Sequence, residues 1–195
     1  MERLLYEKNA DTAELIQSAK RMVRNLAVEA DTKFRRHGFK LEFYPVHELC
    51  QTMFDELFGL LKENMQLLYE NSSWNWVESA KRMEMREDEA LYLVVFNDER
   101  LVGFTHFRFD EDYGDAVLYC YEIQVCRCWQ RRGIGRMLME VLLRMATHCH
   151  VTKVVSTVFK SNIQSRQFFR SMNFAVDSTS PESEDVDYII LSRNL

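Results

Sequence analysis

The hydrophobic pattern of this chain changes from a helical period to a strand period near residue 91. Before that point, apolar residues share one helical face over residues 12–30 and again over 48–71, which is typical of amphipathic helices. Residues 76–86 contain few helix breakers and predict a third helix with a polar face. Between the first two helices, residues 39–44 alternate between apolar and polar side chains and predict a strand.

After the change of period, β-rich runs follow one another at 91–96, 101–109 and 116–125. The polar segments between them, 97–100 and 110–114, are predicted turns. Strands joined by such short turns pair antiparallel, so we expect a three-stranded meander.

The remaining part of the chain alternates between helix and strand. A glycine-containing turn at 131–136 precedes a helix, residues 153–159 predict a strand and 163–172 predict a further helix. Short closing strands are predicted over 174–176 and 188–191. The pattern therefore predicts a mixed α/β (α+β) fold, with a mostly antiparallel sheet flanked by helices.

Length and composition indicate one globular unit. The chain has 195 residues, of which 47% are hydrophobic and 12% aromatic, and this content covers a buried core and excludes disorder over most of the length. We expect residues 1–38 to form a helical arm packed on a domain that spans 39–195. A net charge of -5 argues against direct nucleic acid binding and suits a basic partner.

The chain shows no signal for membrane insertion or secretion. No apolar run approaches the roughly 18 residues of a membrane helix, and residues 1–8 lack the apolar core of a signal peptide. Five cysteines, an odd number, fit reduced thiols in an intracellular compartment. We therefore expect a cytoplasmic and nuclear protein that acts as a monomer without a membrane partner.

The turn Gln130-Arg131-Arg132-Gly133-Ile134-Gly135 is the strongest local motif. A strand that enters a helix through such a turn leaves the first N–H groups of the helix unpaired, which favours an anion there. The glycines let backbone approach phosphate oxygens, and the arginines add charged donors. The spacing matches neither the dinucleotide nor the ATP-binding glycine motif. A phosphate site and a plain helix start remain about equally supported by these residues alone.

The same string resembles the pyrophosphate-binding signature of GCN5-related N-acetyltransferases (GNAT), and the segment Asn162 to Phe174 is similar to a later helix of that superfamily. The resemblance implies the acetyltransferase fold with a splayed central strand, and acetyl-CoA as the cofactor. The positions that it assigns to acetyl-CoA are Ile123, Gln124, Val125, Arg131, Arg132, Gly133, Ile134, Gly135, Arg136 and Asn162.

Several aromatic strings, from Asn64–Trp76 to Ile190–Arg193, resemble more specifically the N-alpha-acetyltransferase D family. That resemblance covers about residue 40 to the end. It implies acetylation of the N-terminal serine of histones 4 and 2A, which begin Ser-Gly-Arg-Gly. The predicted peptide groove, with Glu111 included as part of the acidic turn, comprises Tyr69, Trp74, Asp110, Glu111, Asp112, Tyr121, Thr157, Thr179 and Tyr188.

An acidic turn suits such a peptide, which carries an ammonium and a guanidinium. A unit charge pair at 4 Å is worth about 4 kcal/mol at an effective dielectric of 20 before desolvation. The alternative is that residues 110–112 are ordinary solvated loop carboxylates. Tyr69 and Trp74 are equally typical of core aromatics.

Acetyl transfer to an amine requires a neutral nitrogen, so a base is expected near the reacting groups. Glu122 is the candidate base and Tyr121 a candidate for positioning the amine or donating a proton. An exposed strand carboxylate and a half-buried strand tyrosine are the ordinary alternatives. Strict alternation places Tyr121 and Glu122 on opposite faces, so we predict a bulge or splay within 121–125.

Other chemistry is disfavoured by the residues present. Phe169 occupies the position at which many relatives carry a tyrosine acid, so the proton donor to the leaving thiolate is open. Cys120 has no evident activating base, which favours direct attack by the amine over an acetyl-enzyme. Neither the Cys126–Cys128 pair nor the segment 148–150 has a common zinc-ligand spacing, so no metal is expected.

Together, the residues and the two resemblances predict N-terminal α-amino acetylation by direct sequential transfer from acetyl-CoA. Acetylation of lysine or a polyamine is the enzymatic alternative, and such an amine, with a pKa near 10.4, would demand a stronger base. A non-catalytic acyl-CoA-binding protein is the alternative from another class.

Overall fold

The computed structural model describes residues 2–183 and 185–195, and the side chains from residue 14 onward within these ranges. No helix in these ranges is long and apolar enough to cross a membrane. The helices of the described chain are α1 (Glu2–Arg36), α2 (Gln51–Glu70), α3 (Glu78–Glu84), α4 (Ile134–His148) and α5 (Ile163–Ser171).

The described residues form one mixed sheet. Its strands are β1 (Lys40–Pro45), β2 (Leu91–Asn97), β3 (Arg100–Asp112), β4 (Asp115–Val125), β5 (Lys153–Phe159), β6 (Ala175–Val176) and β7 (Tyr188–Asn194). The spatial order is β1-β2-β3-β4-β5-β7-β6. All neighbours pair antiparallel except β4 and β5, which are parallel. The predicted meander and the predicted fold class are confirmed.

The sheet separates two hydrophobic cores. On one face, α1 and α4 cover the inward side chains of β1 to β5. On the other face, α2 and α3 cover a cluster that contains Phe58, Tyr92 and Phe104. Strand β2 is buried on both faces because its alternate residues belong to different cores, which explains its unbroken apolar run.

The N-terminal helix α1 shares the first core. Its inner face carries Ala19, Val23, Ala27 and Phe34, spaced to lie along one stripe. The helix extends past both limits of the predicted 12–30, because the sequence pattern marks only the apolar stripe and not the polar turns beyond it. The division into 1–38 and 39–195 stays a prediction.

The acidic segment is not a turn. Strand β3 continues to Asp112 and β4 begins at Asp115, so only Tyr113 and Gly114 connect them. Both connecting residues have positive φ, 52° and 83°, which is the geometry of a two-residue hairpin loop. A turn is therefore present, but it is shorter than the predicted 110–114, and the acidic side chains alternate between the two faces of a hairpin.

Strand β4 is irregular where the sequence predicts it. Its register with β3 pairs His106 with Glu122 and Phe107 with Cys120, so Tyr121 is the extra residue of a bulge. Its pairing with β5 extends only from Val117 to Tyr119. The predicted bulge and splay are confirmed, and the divergence of the two strands opens a cleft in the sheet.

Candidate active site

The cleft between the diverging strands has a volume of about 1510 Å³. Its walls come from the second half of α2, from α3, from the splayed part of β4, from the start of α4, and from β5 and α5. One end lies at the start of α4. The other, inner end lies beside the β4 bulge and the buried side of α3.

The first end is made largely of backbone. Gly133 precedes α4 with φ of 87°, a left-handed conformation, and no described side chain caps the helix there. The first N–H groups of α4 therefore lack intrahelical acceptors and face the cleft mouth, where Arg131 and Arg136 add positive charge. A Cβ on Gly133 would meet no protein atom within 4 Å, so the space in front of the turn is open.

Most predicted cofactor residues lie together here. All of them line the cleft except Arg132, whose guanidinium stacks 4.8 Å from the centroid of the Trp129 ring. Asn162 lines the cleft and also caps α5, because its Oδ1 accepts a hydrogen bond from Ser165 N at 3.0 Å. The contact of each residue with a cofactor stays a prediction.

These residues fit the diphosphate and extended arm of acetyl-CoA. An uncapped helix N-terminus beside arginines suits a diphosphate, and the gap between β4 and β5 leaves strand backbone facing a long cleft. Phe168 and Phe169 supply apolar wall on the α5 side. When bound, acetyl-CoA supplies an activated thioester carbonyl.

At the inner end, the β4 bulge brings two predicted catalytic residues onto one face. Glu122 Oε1 forms a salt bridge with Lys81 Nζ at 2.7 Å. Gln124 Nε2 donates a hydrogen bond to Glu122 Oε2 at 2.8 Å. Asn64 Nδ2 donates in turn to Gln124 Oε1 at 3.0 Å. Glu122 is 5% exposed and lines the cleft, so it is not the exposed strand carboxylate of the ordinary alternative.

Lys81 is a functional candidate that sequence reasoning missed. The helical pattern of 76–86 places it on a polar face, yet it is buried and lines the cleft. Burial alone would lower the pKa of Lys81, but Glu122 and Glu84 raise it above its usual value, so the ammonium is retained. No feature of the sequence pairs this lysine with a strand carboxylate over forty positions away along the chain.

Tyr121 lies in a stack of aromatic rings. Its ring centroid is 5.1 Å from that of His106, which stacks on Tyr92 at 5.0 Å, and Arg108 lies 4.3 Å above the Tyr121 ring. Tyr121 OH donates to Asp110 Oδ2 at 3.2 Å. Burial raises the pKa of Tyr121 and lowers that of His106, so both are neutral at physiological pH.

Aromatic side chains form the outer side of the inner end of the cleft. Trp74 lies 5.5 Å from Phe159 and 5.1 Å from Tyr188 between ring centroids, and Tyr69 lies 5.0 Å from Phe159. Ser73 N donates to Asp187 Oδ2 at 2.5 Å, which joins the α2–α3 connection to the segment before β7. The cleft is thus bounded by two contacting loops on this side.

The predicted peptide residues are only partly brought together. Tyr69, Trp74, Tyr121 and Thr157 line the cleft, and Asp110 reaches it through the Tyr121 hydroxyl. The remaining four do not line it, and each has its own surroundings. Glu111 is exposed, Asp112 pairs with Lys153 at 3.0 Å, Thr179 donates to Asp177, and Tyr188 packs behind Trp74.

Two further residues define what the site lacks. Phe169 is 1% exposed and packs on Phe168 and Phe174, so no acid occupies that position. Cys120 is buried in the core that α1 and α4 cover and does not line the cleft, and burial raises the pKa of its thiol to about 12. A thiol with that pKa is not a nucleophile at neutral pH, which agrees with direct attack.

Comparison with known proteins identifies the class. The sequence profile of the acetyltransferase (GNAT) family matches residues 49–174. In backbone structure, the chain is similar to an acetyltransferase from Streptococcus agalactiae, with 15% identity, coverage of 81% of this chain and 99% of that chain, and a TM-score of 0.62.

Two similar structures contain informative ligands. The PaiA N-acetyltransferase of Thermoplasma acidophilum, in complex with coenzyme A, shares 13% identity over 80% of this chain and 99% of that chain, with a TM-score of 0.59. Naa50 of Arabidopsis thaliana, in complex with the bisubstrate analogue CoA-Ac-MVNAL, shares 14% identity over 81% and 99%, with a TM-score of 0.57.

The profile covers more than half of the chain, and the chain therefore belongs to the acetyltransferase (GNAT) family. It is an acetyltransferase that uses acetyl-CoA, as the resemblance of its glycine turn to the pyrophosphate-binding signature implies.

Proposed function

We propose that this acetyltransferase modifies the α-amino group of polypeptides that begin Ser-Gly-Arg-Gly, the start of histones 4 and 2A. The observation that carries the proposal is the β4 bulge, which places Tyr121 and Glu122 on one face of the cleft beside Asp110. The resemblance of the aromatic strings to the N-alpha-acetyltransferase D family supports the choice of peptide.

The shape of the inner end favours an α-amino group over a lysine side chain. Contacts between Ser73 and Asp187 and between Trp74 and Tyr188 close the side of the cleft. The rings of Trp74 and Tyr188 restrict the space on this side of the cleft, so that only a small first side chain fits beside the amine. Naa50, whose backbone is similar, was crystallised with an analogue that joins coenzyme A to a peptide.

The charges of the site complement the peptide. Lys81, Glu84 and Glu122 together carry one net negative charge, and Asp110 adds another within reach of Tyr121. An entering ammonium and the guanidinium at the third position balance these charges. Asp112 contributes less, because Lys153 already neutralises it.

In the proposed reaction, Tyr121 orients the incoming amine and Glu122 takes its proton, directly or through one water. Backbone N–H groups of β4 beyond its divergence from β5 stabilise the negative charge that develops on the thioester oxygen. The neutral amine would form the new C–N bond as the thioester C–S bond breaks and the coenzyme A thiolate leaves. No acetyl-enzyme is formed, since the thiol of Cys120 is buried and does not line the cleft.

An assay with labelled acetyl-CoA tests the proposal on four matched peptides. Free Ser-Gly-Arg-Gly should be acetylated, and the same peptide with a blocked N-terminus should not. Replacement of the peptide's arginine by glutamate should reduce turnover about 100-fold, because attraction becomes repulsion. A blocked peptide with an internal lysine provides the fourth arm.

Each result decides between the candidate functions. Preferred acetylation of the internal lysine would replace the proposal with lysine acetylation. Equal turnover of the arginine and glutamate peptides would remove the histone assignment while leaving N-terminal acetylation. Binding of acetyl-CoA with no transfer to any peptide or polyamine would indicate a non-catalytic acyl-CoA-binding protein.

A further inference from the structure

Lys81 bridges two carboxylates at the inner end of the cleft. Its Nζ lies 2.7 Å from Glu122 Oε1 and 2.7 Å from Glu84 Oε1. The side chains of Lys81 and Glu122 are 7% and 4% exposed, whereas that of Glu84 is 34% exposed. We refer to these three residues as the Lys81 network. The network extends from Glu122, which is buried in the cleft, to Glu84, which is accessible to water.

The surroundings of the Lys81 network leave its net charge at minus one. On α2, the Tyr69 ring lies 5.1 Å from Lys81 Nζ, and its hydroxyl is neutral because burial raises its pKa to about 12. On β3, His106 is neutral, and Arg108 pairs with Glu87 and donates to the backbone oxygen of Glu84. One lysine therefore serves two carboxylates inside the network.

The two carboxylates of the network are not equivalent. Glu122 accepts hydrogen bonds on both oxygens, from Lys81 and from Gln124. Burial raises the pKa of Glu84 above its usual value, and this effect exceeds the opposing effect of Lys81. Glu84 is also the carboxylate nearest to solvent, so it is the member of the network that can exchange a proton with water.

We propose that Lys81 and Glu84 are positioning residues that act through Glu122. Lys81 passes the proton that Glu122 removes from the substrate amine to Glu84, which releases it to water. The inference rests on the proposed function in one respect, that Glu122 is the base of an amine acetylation.

The proton balance requires no further reactant. An N–H bond of the amine breaks and an O–H bond forms on Glu122. In one concerted step, Lys81 gives one proton to Glu84 Oε1 as it receives the proton of Glu122 from Glu122 Oε1, so that the ammonium is never lost. Glu84 then loses its proton to bulk water. Each cycle returns the network to one ammonium and two carboxylates, and no electrons are transferred.

The charge count predicts opposite effects for two substitutions. Lys81→Met leaves two carboxylates side by side, which bind a proton more readily, so the acid limb of the kcat–pH profile moves up by about one pH unit. Glu84→Gln leaves an isolated lysine–carboxylate pair, so the acid limb moves down by about one unit. A purely structural role for these residues would not move the limb in two directions.

The experiment measures kcat and KM against pH for the full chain with free Ser-Gly-Arg-Gly peptide. Glu84→Gln should lower the plateau kcat about tenfold with little change in peptide KM. Glu87→Gln is the matched control, since Glu87 lies just after α3 and pairs with Arg108 outside the network. It should behave as the unmodified protein. Thermal denaturation confirms that each variant is folded.

Lys81→Arg distinguishes a role of Lys81 in proton transfer from a role of its positive charge alone. Arginine keeps the positive charge but does not release a proton in proteins, so the limb should stay in place while kcat remains low. Full recovery of kcat by Lys81→Arg would overturn the relay. Limbs that shift in the same direction, or not at all, would also overturn it. If Lys81→Met does not fold, the Glu84→Gln and Glu87→Gln pair decides the direction alone.

Failure of the proposed function is visible separately. It appears as an unmodified protein that does not acetylate the peptide. In that case, carboxyl titration by NMR on the unliganded Lys81→Met and Glu84→Gln variants measures the same charge coupling without a substrate. Opposite shifts of the titration midpoint support the network, and equal midpoints refute it.

Discussion

The two ends of the cleft are built in different ways. The end at the start of α4 consists of consecutive residues, 131–136, and its main donors are backbone N–H groups. The inner end assembles side chains from α2, α3, β3 and β4, among them Asn64, Lys81, Asp110 and Glu122. A site made of backbone depends on local conformation, whereas a site made of side chains depends on how distant elements pack.

This difference determines how each end responds to mutation. No single side-chain deletion removes the uncapped N–H groups of α4, so that end should lose affinity gradually. At the inner end, the Lys81 network is buried, and removal of one charge leaves its partner without compensation. Mutations there should therefore reduce kcat, whereas mutations at the turn should raise the KM for acetyl-CoA.

Glu122→Gln should have the largest effect, and that effect should be confined to the chemistry at the inner end of the cleft. A carboxamide cannot accept the amine proton, so kcat should fall about 100-fold while the affinity for coenzyme A is unchanged. Steady-state assays and calorimetric titration with coenzyme A measure the two quantities. A folded variant with full turnover would remove Glu122 as the base.

Gly133→Ala tests the end of the cleft at the start of α4. An alanine must adopt the left-handed φ of 87° and places a methyl group in the open space before α4. We expect the KM for acetyl-CoA to rise about tenfold with kcat nearly unchanged. Gly38→Ala is the matched control, because Gly38 has a similar φ of 79° and also meets nothing within 4 Å, but lies after α1. A similar KM increase in the control would contradict the anion site.

Asp110→Asn should have a smaller effect. It tests whether the Asp110 carboxylate attracts the peptide at the inner end of the cleft. Loss of this carboxylate should raise the KM for the Ser-Gly-Arg-Gly peptide about fivefold and weaken its dependence on salt. Glu111→Gln removes the neighbouring, exposed carboxylate and should leave the KM unchanged. If the two variants behave alike, Asp110 does not contact the peptide.

Asp177→Asn should have the smallest effect on activity and tests stability instead. Burial opposes ionisation of Asp177, but hydrogen bonds from Ser192, Thr179 and Lys153 outweigh it and hold the pKa well below its usual range. Its stabilisation is therefore present above about pH 4 and is lost as the pH falls through the lower folded value.

Urea unfolding measures this pH dependence. The variant should be less stable by about 1–2 kcal/mol at pH 7, and the difference should shrink below about pH 4. Asp185→Asn, at an exposed position, is the control and should show no such trend. A difference independent of pH would assign the loss to packing rather than to ionisation.

The sequence predicted some parts of the site and not others, for identifiable reasons. The glycine turn was found because its residues are contiguous and their backbone conformation is local. The bulge was found because Tyr121 and Glu122 could not otherwise share a pocket. Lys81 was missed because a lysine in a polar helix is ordinarily exposed. The turn predicted over 110–114 was too long because acidic residues, typical of turns, here occupy the end of a strand.

The amino-acid order by itself determined most of the elements, the antiparallel meander and the glycine turn at the start of α4, since period and glycine conformation act over a few neighbouring residues. The fold alone decided which charges meet. Glu122 faces Lys81 only because the bulge turns one residue of β4 toward α3, and Glu84 joins them because a helix turn places it beside the same ammonium. Such pairing depends on distances between elements that no local pattern records.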